Sequence, residues 1–110
     1  MTDREREIAL VIRKALRKKK AYGLLPIMRS GQMERMFPNA WKTMKRFADR
    51  RIGARTQVWV GRNVNGWWVS MTDGILDLND EQYLQRIHCI IRSNITQGYE
   101  EDNEQNDNGD

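Results

Sequence analysis

Residues 56–72 read TQVWVGRNVNGWWVSMT, and this stretch decides the fold. It contains three of the four tryptophans of the chain and the dipeptide Asn65–Gly66. Asn-Gly is the strongest short hairpin signal, because a type I′ turn needs positive φ at both central residues. A tight turn there pairs Val64 with Trp67, so two antiparallel strands are predicted on either side of it.

A second Asp-Gly pair at 73–74 predicts a further tight turn. The three strands of the resulting meander cover 56–62, 67–72 and 75–78. Alternation along them collects one apolar face, interrupted by Arg62 near the tip: Val58, Val60, Val64, Trp67, Val69, Met71, Leu76 and Leu78. The opposite face is largely polar but carries two tryptophans: Arg55, Gln57, Trp59, Gly61, Asn63, Trp68, Ser70, Thr72, Ile75 and Asp77.

Helical signals flank the meander on both sides. Thr2 and Glu5 have the spacing of a capping box, and apolar residues from Ile8 to Leu16 then recur at helical spacing. Further helices are predicted over 24–37, over 40–52 with Asn39 as the N-cap, and over 80–94 with Asn79 as the N-cap. The sequence therefore predicts an α+β fold with three N-terminal helices, a three-stranded antiparallel meander and a C-terminal helix.

This fold is predicted to form one domain over 1–96, followed by a disordered acidic tail over 97–110. The tail has six acidic residues and no Lys or Arg. Residues 13–62 show the opposite composition, with fifteen basic residues against Glu34 and Asp49. Such an asymmetry favours a polyanionic partner for the basic part of the chain.

The predicted helix over 40–52 concentrates this charge on one side. At 100° per residue, Trp41, Met44 and Phe47 share a face, and basic side chains occupy the opposite face. A basic helical face of this kind suits a phosphate backbone or a major groove, although a solvated face is the commoner explanation. The candidate nucleic-acid-binding residues are Lys18, Lys19, Lys20, Lys42, Lys45, Arg46, Arg50, Arg55 and Arg62.

Trp59 and Trp68 lie on the predicted polar face, where large aromatic side chains need a reason. They could stack on bases, or they could anchor a protein partner such as a second copy of the chain, with Asn63 beside them. A third interpretation covers this face with the N-terminal helix and makes both residues part of the core. The sequence leaves these three alternatives open.

Signals of catalysis and of metal binding are missing from the sequence. His88 is the only histidine and Cys89 the only cysteine, and as helical neighbours they point about 100° apart. We therefore expect no enzyme activity, no metal or cofactor, and no small-molecule substrate. The single cysteine, the lack of a secretory signal and the lack of an apolar run of about 18 residues predict a cytoplasmic protein without a membrane span.

The order of three helices followed by a hairpin resembles that of a winged-helix domain. The resemblance implies that the second and third helices form the DNA reader, in which 40–52 is the reader helix. It also implies that the hairpin, with its tip at 62–66, is the wing. The resemblance rests on the order of the elements from the first helix to the hairpin.

Two hypotheses of function follow. The first is a small cytoplasmic protein that binds double-stranded DNA, such as a transcriptional regulator or an accessory protein of a mobile element, with the acidic tail competing for the basic surface. The second is an inhibitor or adaptor of phage or plasmid type, which binds a protein partner through Trp59, Trp68 and Asn63. Nucleic-acid binding should weaken steeply with salt, whereas binding through tryptophans should be nearly independent of salt.

Overall fold

The computed structural model describes residues 1–51 and 53–98. Its helices are α1 (Asp3–Ala21), α2 (Ser30–Glu34), α3 (Ala40–Arg46), α4 (Asp73–Leu76) and α5 (Asp80–Thr96). Its strands are β1 (Ile27–Arg29), β2 (Val58–Asn63) and β3 (Gly66–Met71), and they form one antiparallel sheet in the order β1-β3-β2. The α+β class and the three-stranded antiparallel sheet are confirmed.

The hairpin forms where the sequence predicts it, but its register differs by two residues. Arg62 pairs with Trp67, whereas the predicted turn pairs it with Val69. Among the described residues, Asn39 is the only non-glycine with positive φ, so Asn65 does not adopt the type I′ conformation. Within the turn of the hairpin only Gly66 takes positive φ, at 105°, and Asn63 Oδ1 accepts a hydrogen bond of 2.9 Å from the Asn65 amide.

A shift of two residues leaves every side chain of the paired strands on its predicted face, because alternation along a strand has a period of two. Val58, Val69 and Met71 therefore enter the core as expected. Val64 is the exception among the predicted core residues: it lies in the turn and its side chain is fully exposed.

The predicted tight turn at 73–74 and the predicted strand over 75–78 are both wrong, because α4 covers Asp73–Leu76. Amides of Ile75 and Leu76 donate to the carbonyl of Thr72, and both side chains are fully buried. Neighbouring residues in a strand point to opposite faces, so a half-buried strand could not bury both. Arg17 of α1 donates to the carbonyls of Leu76 and Leu78, which a strand would have offered to the sheet.

The third strand comes instead from the segment predicted as a helix over 24–37. Gly23 has φ of 71°, and Leu25 precedes a proline, which disfavours the helical conformation. The chain then runs beside β3, with Met28 opposite Val69. Only α2 remains of the predicted helix.

The core lies between one face of the sheet and the two long helices. Ile8, Ile12 and Leu16 of α1 are fully buried, as are Tyr83 and Ile87 of α5. The predicted caps of both helices are confirmed: Thr2 with Glu5 and Asn79 with Gln82 each form a reciprocal capping box. Gln97 and Gly98 follow α5, and the rest of the predicted disordered tail lies outside the described residues.

The basic helix predicted over 40–52 is shorter in the structure, because α3 ends at Arg46. Asn94 of α5 donates from its side-chain amide to the carbonyls of Arg46 (3.3 Å) and Ala48 (2.8 Å). These bonds satisfy carbonyl groups at the end of α3. A loop then forms around the carboxylate of Asp49, which accepts hydrogen bonds from the amides of Arg51 (3.1 Å) and Gln57 (2.8 Å).

The pKa of Asp49 depends on two opposed effects. Burial of the carboxylate favours its neutral form, but hydrogen bonds from Arg51 and from the amide of Gln57 outweigh burial and lower the pKa below the ordinary value of 3.8. A lowered pKa in the folded state stabilises the protein above the ordinary value, and this stabilisation is lost as pH falls through the folded-state pKa.

We predict that Asp49→Asn lowers the free energy of unfolding by about 1–3 kcal/mol at pH 7, because charge-assisted hydrogen bonds are lost. The difference from the parent should shrink as pH falls below the ordinary carboxyl range. Urea denaturation between pH 7 and pH 2 measures both effects, and Glu7→Gln at an exposed position of α1 is the control. A difference that stays constant with pH would contradict this role of Asp49.

Candidate nucleic-acid interface

Two tryptophans meet where α3 lies beside the hairpin tip. Trp41 is the second residue of α3 and Trp67 the second residue of β3. Their rings are stacked, with centroids 6.1 Å apart and planes 8° from parallel. Trp67 is predicted on the apolar face of the sheet. In the structure it is half-buried, so part of its surface remains accessible.

Three basic side chains surround this pair of rings. The ammonium nitrogen of Lys45 lies 5.3 Å from the ring centroid of Trp41 and 4.8 Å from that of Trp67. Lys42 lies 5.7 Å from the centroid of Trp41, and the guanidinium carbon of Arg62 lies 5.7 Å from that of Trp67. These distances fit cation–π contacts. We call these five residues, Trp41, Lys42, Lys45, Arg62 and Trp67, the α3–tip surface.

The three cations of the α3–tip surface differ in exposure. Lys42 and Arg62 are exposed, whereas Lys45 retains only 6% of its accessible surface. The prediction of Lys45 on an exposed basic face is therefore wrong, because its side chain is buried beside the two indole rings. Lys45 can add to the local potential, but a phosphate can contact Lys42 and Arg62 directly.

The N-terminus of α3 already has an anionic partner. The carboxylate of Glu34 accepts hydrogen bonds from the amides of Asn39 (2.7 Å) and Trp41 (3.4 Å). Asn39 occupies the predicted N-cap position, but it has φ of 65° and its side chain forms no cap hydrogen bond, so Glu34 supplies the acceptor instead. Because a carboxylate occupies this end, the α3–tip surface would bind anions through side chains and not through the helix terminus.

Other predicted DNA-binding residues have structural partners. Arg46 forms an ion pair with the buried carboxylate of Glu5. Lys19 donates to the carbonyl of Ile27, and Lys20 lies 2.9 Å from the carboxylate of Asp73. The hydrogen bond to Asp73 raises the pKa of Lys20.

The nine predicted cations do not form one surface. Lys18, Lys19 and Lys20 end α1 near Ile27, which pairs with Ser70 at the end of β3 away from the hairpin tip. Arg50 lies in the loop after α3 and is half-buried, whereas Arg55 ends the 3₁₀ helix Gly53–Arg55 and is exposed. The structure brings together Lys42, Lys45 and Arg62.

The second sheet face is partly open. Trp59 retains 42% of its accessible surface, which excludes its interpretation as a core residue. Trp68 is half-buried and packs on Gly61, its partner across the hairpin. Asn63, the third residue of the predicted protein-binding set, is exposed and bonds to the turn.

Sequence reasoning missed Trp41 and Trp67 as parts of a candidate site. Both fall on the apolar faces of their elements, a position that predicts a core residue and no site. The signal that could have identified them is the closeness of basic residues in sequence, since Lys42 and Lys45 follow Trp41 at positions i+1 and i+4.

Candidate metal ligands are sparse in the part of the chain that the structure describes. Residues 1–51 and 53–98 contain no group of three His, Cys, Asp or Glu side chains arranged to hold a metal ion. His88 lines an open cavity of about 360 Å³ together with Arg6 and Glu81, and Cys89 is exposed. In the same residues, no helix is both long enough and apolar enough to cross a membrane.

Comparison of the chain with protein-family models, with curated proteins and with solved structures finds no match.

The contact between Gly61 and Trp68 yields a test of the open sheet face. A Cβ atom on Gly61 would lie 2.4 Å from Cζ2 of Trp68, which is closer than real contacts allow. We predict that Gly61→Ala displaces the indole and lowers the free energy of unfolding by about 1–3 kcal/mol. In the background of Trp68→Ala the same substitution should cost much less, and thermal denaturation of the four proteins measures the difference. Equal costs in both backgrounds would show that Trp68 is not the constraint.

Proposed function

We propose that the chain binds double-stranded DNA through the α3–tip surface. The observation that carries this proposal is the position of three cations, Lys42, Lys45 and Arg62, around one pair of stacked tryptophans. A duplex presents one negative charge per about 1.7 Å of its axis, so cations clustered on one surface can each approach a phosphate or strengthen the local potential.

The tryptophans support phosphate binding by limiting how far the cations move. Lys and Arg side chains lose considerable rotational freedom when they bind a ligand, at a cost of about 2 kcal/mol or less each. The rings under Lys42 and Arg62 already favour positions beside the surface, so less freedom remains to be lost. This preorganisation would strengthen binding without adding contacts.

The resemblance to winged-helix domains belongs to this proposal. It assigns α2 and α3 to the DNA reader and the β2–β3 hairpin to the wing. Contact between Trp41 of α3 and Trp67 of β3 supports a joint surface of this kind. Because α3 has only seven residues and Glu34 caps its N-terminus, we propose contacts mainly to the phosphate backbone, which position a protein without reading sequence.

A DNA-binding role of this kind would suit a cytoplasmic transcriptional regulator or an accessory protein of a mobile element. The support is the concentration of positive charge between residues 13 and 62. Charge of this kind increases the rate and strength of association with nucleic acid, whatever the biological context.

We predict that Lys42→Ala combined with Arg62→Ala weakens binding to a labelled 20-base-pair duplex by roughly tenfold or more at 50 mM salt. The slope of log affinity against log salt should become shallower by about 1.8, since each lost phosphate contact contributes about 0.9. Fluorescence anisotropy between 50 and 200 mM salt measures both quantities.

The matched control is Lys14→Ala combined with Arg92→Ala, which removes the same charge from exposed positions of α1 and α5. Equal weakening by both pairs would assign binding to net charge and not to the α3–tip surface. Failure of the parent chain to bind duplex at 50 mM salt would overturn the proposed function.

A second candidate function is protein binding through the open sheet face. The observation that favours it is the 42% exposure of Trp59, together with the exposure of Leu24 (59%) and Leu25 (72%) just before β1. Ser70, the cross-strand partner of Trp59, donates a hydrogen bond of 2.8 Å to the carbonyl of Pro26, which fixes this apolar segment at the sheet. Exposed aromatic and aliphatic residues of this kind are typical of protein interfaces.

A second copy of the chain is the partner that can be tested directly. This second candidate function predicts that light scattering detects self-association between about 10 μM and 1 mM protein. The association should be nearly unchanged between 50 and 500 mM salt, because the interface is apolar. Trp59→Ala should abolish it, whereas Trp59→Phe should retain part of it. A parent chain that stays monomeric over this range would restrict the candidate to a different protein partner.

A further inference from the structure

Six acidic residues follow α5 directly in the sequence. Glu100, Glu101, Asp102, Glu104, Asp107 and Asp110 all lie in the acidic segment 99–110, which contains no basic residue. This segment lies outside the described residues. Its charge is opposite to that of the α3–tip surface.

The point of attachment is beside α3. Asn94 is buried and its side-chain amide bonds to the carbonyls of Arg46 (3.3 Å) and Ala48 (2.8 Å), so the last turn of α5 meets the end of α3. Gly98, the last described residue, is four residues beyond Asn94. The acidic segment therefore begins near the end of α3 that is one helical turn from Lys42.

The distances allow the acidic segment to reach the whole α3–tip surface. Four helical residues span about 6 Å, which separates Lys42 from Arg46 along α3. Twelve residues of extended chain span at most about 40 Å. The segment is therefore long enough to pass Lys42 and reach Arg62, which lies across Trp67 from the lysines.

We propose that the acidic segment 99–110 binds the α3–tip surface of its own chain and competes there with DNA. This inference rests on the proposed function for its competitor, but the intramolecular contact itself does not require DNA. Carboxylates would replace phosphates beside Lys42 and Arg62. Attachment beside α3 makes the contact intramolecular, so it competes at an effective concentration of about 1 mM.

The strength of the competition follows from this concentration. If the free acidic segment bound the surface with a Kd of about 100 μM, tethering at about 1 mM would reduce the apparent affinity for DNA roughly tenfold. Both interactions are electrostatic and weaken with salt, so the difference should be largest at low salt.

The test replaces all six acids by their amides in the chain of residues 1–110: Glu100→Gln, Glu101→Gln, Asp102→Asn, Glu104→Gln, Asp107→Asn and Asp110→Asn. This variant keeps length and shape and removes the charge. Anisotropy with a labelled duplex should show about tenfold tighter binding at 50 mM salt and a smaller gain at 200 mM. The control variant, Asn103→Ser with Gln105→Ser and Asn106→Ser, keeps every charge and should bind as the parent does.

A measurement without DNA separates this inference from the proposed function. Proton–nitrogen NMR spectra of the parent and the amide variant should differ at 50 mM salt at the indole N–H groups of Trp41 and Trp67, and the differences should vanish at 500 mM. These differences without any binding of DNA would support the intramolecular contact and overturn the DNA proposal. Identical spectra with equal DNA binding by both proteins would overturn the contact and leave the DNA proposal intact.

Discussion

Alternation along the β2–β3 hairpin is the constraint on which the rest of the structure depends. It places Val58, Val69 and Met71 on one face, where they join the core to which α1 and α5 contribute. Trp67 belongs to the same face but lies next to the hairpin tip. There α3 covers it through Trp41, and the lysines of α3 are thereby placed around the two rings. The candidate site thus results from the packing of α3 on the sheet at the hairpin tip.

Much of the positive charge stabilises the fold before any partner is considered. Arg13 is buried, lies 4.7 Å from the ring centroid of Tyr83, and bonds to Asp80 and to the carbonyl of Leu78. Arg17 bonds to two carbonyls of the segment after β3. Hydrogen bonds to charged groups contribute about 1.5–3 kcal/mol each when well formed, so these arginines fix how α1 meets α4 and α5. A count of basic residues therefore overstates the charge available to a ligand.

The sequence predicts the parts of this fold that depend on local patterns. Capping boxes at Thr2 and Asn79 and the alternation of the hairpin need only neighbours in the chain, and they are confirmed. The segment after β3 could not be assigned in the same way, because its carbonyls bond to Arg17, 59 residues away from Leu76. The end of α3 also depends on a distant residue, because the carbonyl of Arg46 accepts a hydrogen bond from Asn94, 48 residues further along the chain.

The candidate site was predictable in composition but not in geometry. Lys42 and Arg62 were both identified from sequence, yet nothing local indicates that Trp41 and Trp67 bring them together. The burial of Lys45 is likewise not predictable from its neighbours in the sequence. A helical wheel places it among exposed residues, but Trp67 from a distant strand encloses it.

The enclosure of Lys45 also determines what kind of binding the surface can support. A charge with 6% exposure cannot contact a phosphate directly, but it acts through a medium of lower dielectric than water and so raises the potential felt at Lys42 and Arg62. Under the proposed function, direct contacts by two exposed cations would give weak, salt-sensitive association, typical of non-specific DNA binding at about 10⁻⁴ to 10⁻⁶ M. Recognition of a particular sequence would require base contacts, which a seven-residue helix capped by Glu34 is poorly placed to make. For the DNA binding proposed here, the geometry of the α3–tip surface thus favours contacts to the phosphate backbone over the reading of bases.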